Sequence, residues 1–247
     1  MNVDLSGKRA LVTGSGRGIG SAVALELARA GAEVVVHYVR DRASAEAVGK
    51  KISAAGAGCE IVQADLSSQD GAARLWTACG RADILVLNAS VQIRKGWTEI
   101  DRREFDTQIN CNLWSSLRLM QLAVPGMRRN GWGRIVTIGS VQETKPHPEM
   151  LVYAASKAAQ TMMAKSLALQ LAPDGVTVNN VAPGVINTDR NRDALSDRSY
   201  AKAVMASIPA GFLGEKEDCA GIVRLLCSEA GRYITGQSIY VDGGKSL

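Results

Sequence analysis

Seven short apolar runs, separated by longer stretches of helical periodicity, constrain this chain more than any other feature. The runs are Arg9–Thr13, Glu33–Tyr38, Glu60–Ala64, Ile84–Asn88, Arg134–Gly139, Thr177–Val181 and Ser238–Val241. Between them lie helical patterns over Ile19–Ala30, Ala43–Ala54, Asp70–Thr77, Arg102–Arg129, Tyr153–Ala172 and Glu217–Cys227. The runs read as continuous β-branched and apolar stretches, as strands covered on both faces do. Such alternation predicts an α/β architecture, a doubly wound seven-stranded parallel sheet with right-handed crossovers. No linker, repeat or low-complexity tract divides the 247 residues, so 1–247 reads as one domain.

Two places break the rhythm. From Pro183 to Pro209 the chain is polar, charged and proline-punctuated. A segment of this kind at a strand's carboxyl end is expected to cover a ligand, which predicts a lid over about 185–210. In the long Arg102–Arg129 pattern, Phe105, Ile109, Leu113, Leu117, Met120, Val124 and Met127 form a stripe expected to be core or subunit interface. Asn112 interrupts it one position before Leu113.

Composition narrows the partners. The net charge is +5, but Lys and Arg are scattered, and Arg102-Arg103 with Arg128-Arg129 merely flank one helical pattern. A nucleic-acid reader would gather its charge into a stripe. With only 4% aromatic residues there is also little to stack bases on, so no nucleic-acid partner is expected. The five cysteines are irregularly spaced and read as reduced core thiols. The two histidines, His37 and His147, have no neighbouring ligand set, so no metal site is expected. The opening Met1-Asn2-Val3-Asp4-Leu5-Ser6-Gly7-Lys8 has no leader-type apolar region, and no segment approaches membrane-spanning length. A cytoplasmic protein is expected.

The first strand runs into Thr13-Gly14-Ser15-Gly16-Arg17-Gly18-Ile19-Gly20. Glycines at a strand-to-helix junction let backbone approach a bulky anion, and the following helix presents free N–H groups and its positive dipole end. A nucleotide cofactor is the natural occupant. Its identity turns on the end of the second strand, where a carboxylate would hold an adenosine ribose 2′-hydroxyl. Here Val36-His37-Tyr38-Val39-Arg40 offers none before Asp41, whereas Arg17 and Arg40 suit a 2′-phosphate. NADP is therefore preferred, with NAD as the alternative should Asp41 turn inward. Asp65 either accepts from an adenine amino group or caps the next helix, and Asn88-Ala89-Ser90 forms a small-residue turn expected beside the nicotinamide ribose.

At the chemical end, Ser140 closes the fifth run and Tyr153-Ala154-Ala155-Ser156-Lys157 opens a long helix. Tyr and Lys four apart stack on one helix face. A tyrosine hydroxyl, with an ordinary pKa of about 10, becomes a usable acid/base when an ammonium and an oxidised nicotinamide stand beside it. Ser140 would hold the carbonyl or alcohol oxygen, and hydride would pass directly between substrate and nicotinamide.

With these residues in hand, the chain resembles the short-chain dehydrogenases/reductases over essentially its whole length. The matching motifs are Thr13-Gly14-x-x-x-Gly18-x-Gly20, Asp65, Asn88-Ala89, Asn112, Ser140, Tyr153-x-x-x-Lys157, Asn180, Pro183-Gly184 and Asp242-Gly243-Gly244. The resemblance implies a Rossmann fold, catalysis by Ser140, Tyr153 and Lys157, and a relay water held by Asn112. Cofactor contacts are implied at Gly14, Ser15, Arg17, Gly18, Ile19, Gly20, Arg40, Asp65, Leu66, Asn88, Ala89, Tyr153 and Lys157. Beyond the sixth run, Pro183, Gly184, Val185, Ile186 and Thr188 are implied as well, the last three on the carboxamide side. A homotetramer is also implied, with the Arg102 and Tyr153 helices at one interface and the C-terminal strand at another. The chain departs from the family's usual Asn-Asn-Ala-Gly by reading Leu87-Asn88-Ala89-Ser90.

The substrate should be a small carbonyl or alcohol lined by Val141–Val152, the turn after Asn88 and the segment after Pro183. Gln92, Arg94, Gln142, Glu143, His147 and Asn187 are the polar candidates there. Overall resemblance is to 3-oxoacyl-carrier-protein reductases. The stretch Thr188–Asp197 with Ile208-Pro209 instead looks like the lid of bacterial sugar dehydrogenases. A non-catalytic nucleotide-binding regulator is disfavoured, because Asn112, Ser140, Tyr153 and Lys157 are all retained.

Overall fold

The computed structural model describes residues 3–247; Met1 and Asn2 of the opening segment lie outside the described residues, as do the side chains of Asp193 and Ala194 in the segment after β6. Seven parallel strands form one sheet in the order β3-β2-β1-β4-β5-β6-β7. They are β1 (Arg9–Val12), β2 (Glu33–Tyr38), β3 (Cys59–Gln63), β4 (Ile84–Leu87), β5 (Gly133–Ile138), β6 (Val176–Pro183) and β7 (Ser238–Val241). The helices are α1 (Gly18–Arg29), α2 (Arg42–Ala54), α3 (Gly71–Cys79), α4 (Arg102–Ile109), α5 (Ser115–Arg129), α6 (Leu151–Leu171), α7 (Asp189–Ser196), α8 (Arg198–Ala206) and α9 (Lys216–Cys227).

Period-two side-chain alternation between two covered faces explains why β1, β2 and β4 are mostly apolar. Val12, Val34, Val36, Ile84 and Val86 face α1, α2 and α9, packing on Val23, Leu27, Ile52, Val223 and Leu226. Their neighbours Leu11, Val35, Leu85 and Leu87 face the other way, onto Leu75, Leu119, Met120 and Ala164 of α3, α5 and α6. Each fully buried side chain of this kind contributes about 1.5–3 kcal/mol, so neither face tolerates polar alternation. Leu87 belongs to this second layer.

The expected single helix over Arg102–Arg129 is broken. A π-helical turn, Asn110–Trp114, separates α4 from α5. Of the predicted stripe, Ile109, Leu113, Leu117 and Val124 are half-buried. Met120 and Met127 are buried with Leu119 and Ala123, whereas Phe105 is exposed. The segment after β6 carries α7 and α8, two short helices within the predicted lid. Among the described residues, no helix is long and apolar enough to cross a membrane, no group could hold a metal ion, and all five cysteines are free.

The strand order reverses between β1 and β4, and their carboxyl ends open a crevice there, where open α/β sheets bind ligands.

Candidate active site

The glycine run leaves β1 into this crevice. Gly14 and Gly18 have φ of +64° and +56°, a region that favours glycine. A Cβ on Gly20 would sit 2.5 Å from Asn88 Nδ2 and 2.6 Å from Gly14 O, so close packing also demands glycine there. Asn88 holds the run from the β4 side. Its Nδ2 donates to Thr13 O and Gly14 O at 2.9 and 3.0 Å, while Thr13 Oγ1 accepts from the backbone N–H of Asn88 and Ala89.

His37, which has no ligand set beside it in the sequence, holds the run from β2. Its Nδ1 accepts from Gly14 N–H at 2.9 Å and its Nε2 lies 2.9 Å from Ala64 O. An amide can only donate and a carbonyl only accept, so the proton sits on Nε2 and the ring is neutral. Burial keeps its pKa below the usual histidine value. Ser15, fully buried, donates from Oγ to Val12 O and accepts from His37 N–H.

The residues present fit an NADP-type cofactor. No side chain caps α1 and its first turn carries no acid, which leaves its N-terminal amides for an anion. Arg17 and Arg40 are exposed, and neither is paired with a carboxylate among the described residues. Asp41 does not turn inward; it caps α2, accepting from Ser44 N–H and Oγ. The alternative in which Asp65 caps the next helix is overturned. α3 starts only at Gly71, and Asp65 closes a local turn on Ser67 instead. Leu66 is buried in the core and Ile186 packs on Gly214. Any cofactor contact from these two therefore runs through backbone. Gly184 lies against Asp242, leaving no room for a Cβ, next to Pro183 at the end of β6. Val185 O accepts from Gly214 N–H, and Thr188 lies over Gly18, its Cγ2 3.7 Å from where a Cβ would be. Ile19 is the half-buried second residue of α1.

Tyr153 and Lys157 share the inner face of α6, with Lys157 Nζ 5.9 Å from the tyrosine ring centroid. Lys157 is 1% exposed. Its Nζ donates to Ile138 O at 2.6 Å and to Gln160 Oε1 at 3.2 Å. Burial, reinforced by the Arg190 charge, brings its pKa down to about 7, against the opposing pull of Cys111 and Glu143. Ser140 Oγ accepts from Gln142 N–H at 3.2 Å, so its own hydrogen remains free to donate. Asn112 sits in the π-helical turn with its amide committed. Nδ2 donates to Val91 O and Ser156 Oγ, and Oδ1 accepts from Val91 N–H. It thereby clamps the turn after β4 to α6.

The polar substrate candidates separate. Arg94 pairs with Glu149 at 2.6 Å and lies over the Tyr200 ring of α8. Asn187 instead reaches Glu215, at the start of α9. Glu143 accepts from Thr161, Asn180 and Ser238, which spends its carboxylate inside the protein. Gln142, Glu143 and His147 line a cavity of about 560 Å³, but its α6 wall is Leu151, Ala154, Ala155 and Ala158. Those positions lie on the side of the helix away from Tyr153 and Lys157. Gln92 is half-buried in the turn after Asn88. One contact was not legible in the sequence. Arg190 of α7 donates to Ser90 Oγ and Ser90 O, both at 2.9 Å, joining α7 to the turn after β4.

Comparison with known proteins agrees with this geometry. A family model described as enoyl-(acyl carrier protein) reductase matches residues 14–246. The 3-oxoacyl-[acyl-carrier-protein] reductase FabG of Staphylococcus aureus is 37% identical over 241 residues, covering 96% of this chain and 97% of the relative. A 3-oxoacyl-(acyl-carrier-protein) reductase from Agrobacterium tumefaciens C58, solved with NADP bound, superposes with a TM-score of 0.94 at 38% identity, covering 98% of this chain and 96% of that one. A structure from Beutenbergia cavernae, designated an NAD(P)-dependent gluconate 5-dehydrogenase and holding NADP at low occupancy, gives 0.94 at 35% identity over 99% of both chains. By matched length and identity, the chain belongs to the short-chain dehydrogenase/reductase family of oxidoreductases.

Proposed function

We propose that this chain interconverts a ketone and a secondary alcohol with NADP(H), and that its substrate is a 3-oxoacyl thioester. The observation that carries the chemistry is Lys157. A wholly buried ammonium without a carboxylate partner among the described residues is costly to keep. Its place beside Tyr153 gives that cost a purpose. With this ammonium beside it, the Tyr153 hydroxyl would give its proton to the carbonyl oxygen in reduction and take it back in oxidation. Ser140 Oγ, its lone pair engaged by Gln142 N–H, donates its hydrogen to the same oxygen. Bound NADPH would supply the hydride.

The glycine run and the α1 N-terminus would hold the pyrophosphate, and Arg17 with Arg40 the 2′-phosphate. Asp65 and the Leu66 backbone would meet the adenine side. Asn88, Ala89, Pro183, Gly184, Val185, Ile186 and Thr188 would frame the nicotinamide. NADP-bound relatives support this choice of cofactor. Residues 185–210 would act as the lid. The carbon skeleton is where a second reading has support. The Arg190–Ser90 and Arg94–Glu149 pairs give the cleft rim a polar character that suits a sugar or polyol.

We further propose a cytoplasmic homotetramer of single-domain subunits. Apolar side chains exposed on α6, such as Met162 and Leu169, and Phe105 on α4 support one interface. Two assays test the reading. Tyr153→Phe should keep NADPH binding and nearly abolish turnover; retained turnover overturns the mechanism. Following reduced nicotinamide at about 340 nm with 3-oxoacyl thioesters, aldoses and polyols decides the substrate, and sugar oxidation without thioester reduction overturns the first assignment.

A further inference from the structure

We propose that Gln160 is a positioning residue that aims the Lys157 ammonium, itself held by Ser116 and the main-chain oxygen of Asn112. The inference rests on the Tyr153–Lys157 reading above and adds a residue to it.

Donor and acceptor accounting carries the argument. A lysine ammonium has three donors and no acceptor. Two hydrogens go to Ile138 O and Gln160 Oε1 at 2.6 and 3.2 Å, which leaves one for the cleft side. Because Nζ can only donate, the Gln160 amide must present its oxygen there, and its Nε2 then donates to Ser116 Oγ at 2.8 Å. Ser116 spends its hydrogen on Asn112 O at 2.9 Å. The opposite amide orientation would set an NH₂ group against the ammonium, so the chain runs one way only. Lys157, Gln160, Ser116 and Asn112 are all 2% exposed or less, so water cannot readily replace a missing link.

Charges facing Lys157 come from several elements: Arg190 on α7 opposes the ammonium, while Cys111 in the π-helical turn and Glu143 after β5 favour it. None of these is a hydrogen-bond partner. Among the described residues, direct support comes from two neutral oxygens, and one of them belongs to Gln160. Removing that oxygen makes the ammonium less stable and less well aimed, so phenolate at Tyr153 is less favoured.

The test reads Tyr153 directly by ultraviolet difference titration of the NADP⁺-saturated protein, with the Tyr153→Phe trace subtracted. Gln160→Met should raise the pH of phenolate formation by about half to one unit, part of the roughly one to two units a lost hydrogen bond to a charge is worth, because the loss reaches Tyr153 only through Lys157. Ser116→Ala should move it less in the same direction, and the double variant no further than Gln160→Met alone. A midpoint unmoved in Gln160→Met, with only stability lowered, would mean a packing role and overturn the proposal. Should Gln160→Met fail to fold, Ser116→Ala decides alone: a raised midpoint supports the proposal and an unmoved one overturns it. Lys157→Met separates the two levels. If it leaves the phenolate midpoint in place, the Tyr153–Lys157 reading itself is wrong. If it shifts the midpoint while Gln160→Met does not, only this inference falls.

Discussion

Replacing His37 by phenylalanine should destabilise the protein at neutral pH and remove part of its acid sensitivity. Phenylalanine keeps a ring of similar size but can neither accept from Gly14 N–H nor donate to Ala64 O. His37 is fully buried and Ala64 is 6% exposed, so water does not easily replace either bond. Each orphaned backbone group costs about 1–3 kcal/mol, and part is returned by the more apolar ring, giving about 2–4 kcal/mol in all. The pH dependence follows from the same ring. The folded-state pKa of His37 is depressed, so below about pH 6.5 the unfolded chain binds a proton that the folded chain refuses. Wild-type stability therefore falls with pH through this window, by up to about 1.4 kcal/mol per unit from this group, until the folded pKa is reached. His37→Phe lacks that contribution, so the gap between the two proteins narrows on acidification. His147 is also depressed, by burial and by Arg94, but it is present in both proteins and cancels. Urea midpoints measured from about pH 5 to pH 8, with NADPH titrations alongside, check this. Weaker NADPH binding is expected because the glycine run loses one of its two anchors. A variant with wild-type stability at pH 7.5, or with the wild-type acid slope, would refute the reasoning.

Arg17→Ala and Arg40→Ala should each weaken NADPH binding about tenfold, the scale of one charge-assisted phosphate contact, with little change for NADH; equal losses for both would exclude a 2′-phosphate role. Lys157→Met should abolish turnover yet raise the thermal midpoint of the cofactor-free protein. Its folded pKa of about 7 lies below the ordinary lysine value of 10.5, so the buried ammonium destabilises most below about pH 7, and that cost fades as pH rises toward the unfolded value. A stabilisation that grows with pH would contradict this account. Ser90→Gly removes the Arg190 Nη1 contact but keeps the bond to Ser90 O, so steady-state kinetics should show KM raised less than about fivefold with kcat little changed.

The strands and the Tyr153/Lys157 pair were legible because each is a local signal. A strand buried on both faces is apolar wherever its side chains lack a hydrogen-bond partner, which Val34-Val35-Val36 and Ile84-Leu85-Val86-Leu87 display outright. Two residues four apart on a helix face each other whatever surrounds them. The failures share a different cause. Of the two readings of Asp65, the adenine contact and the helix cap, only the cap falls: an acid before Ser67-Ser68 is a common start, yet the helix waits until Gly71. The π-helical turn was visible only as Asn112 out of step, since a run of Leu, Met and Val looks the same on either side of an inserted residue. His37 meets Gly14 and Ala64 across 23 and 27 positions, and Ser90 meets Arg190 across 100. These pairings depend on strand register and on where α7 docks, which no local pattern encodes. Gln160 stands between the two cases. Its spacing places it on the Tyr153/Lys157 face, but a glutamine there has no evident task until Ser116, 44 positions away, fixes which way its amide points. A buried amide acquires a role in proton chemistry only when its second partner sets its orientation. That second partner is the kind of contact an α/β sheet supplies from remote sequence.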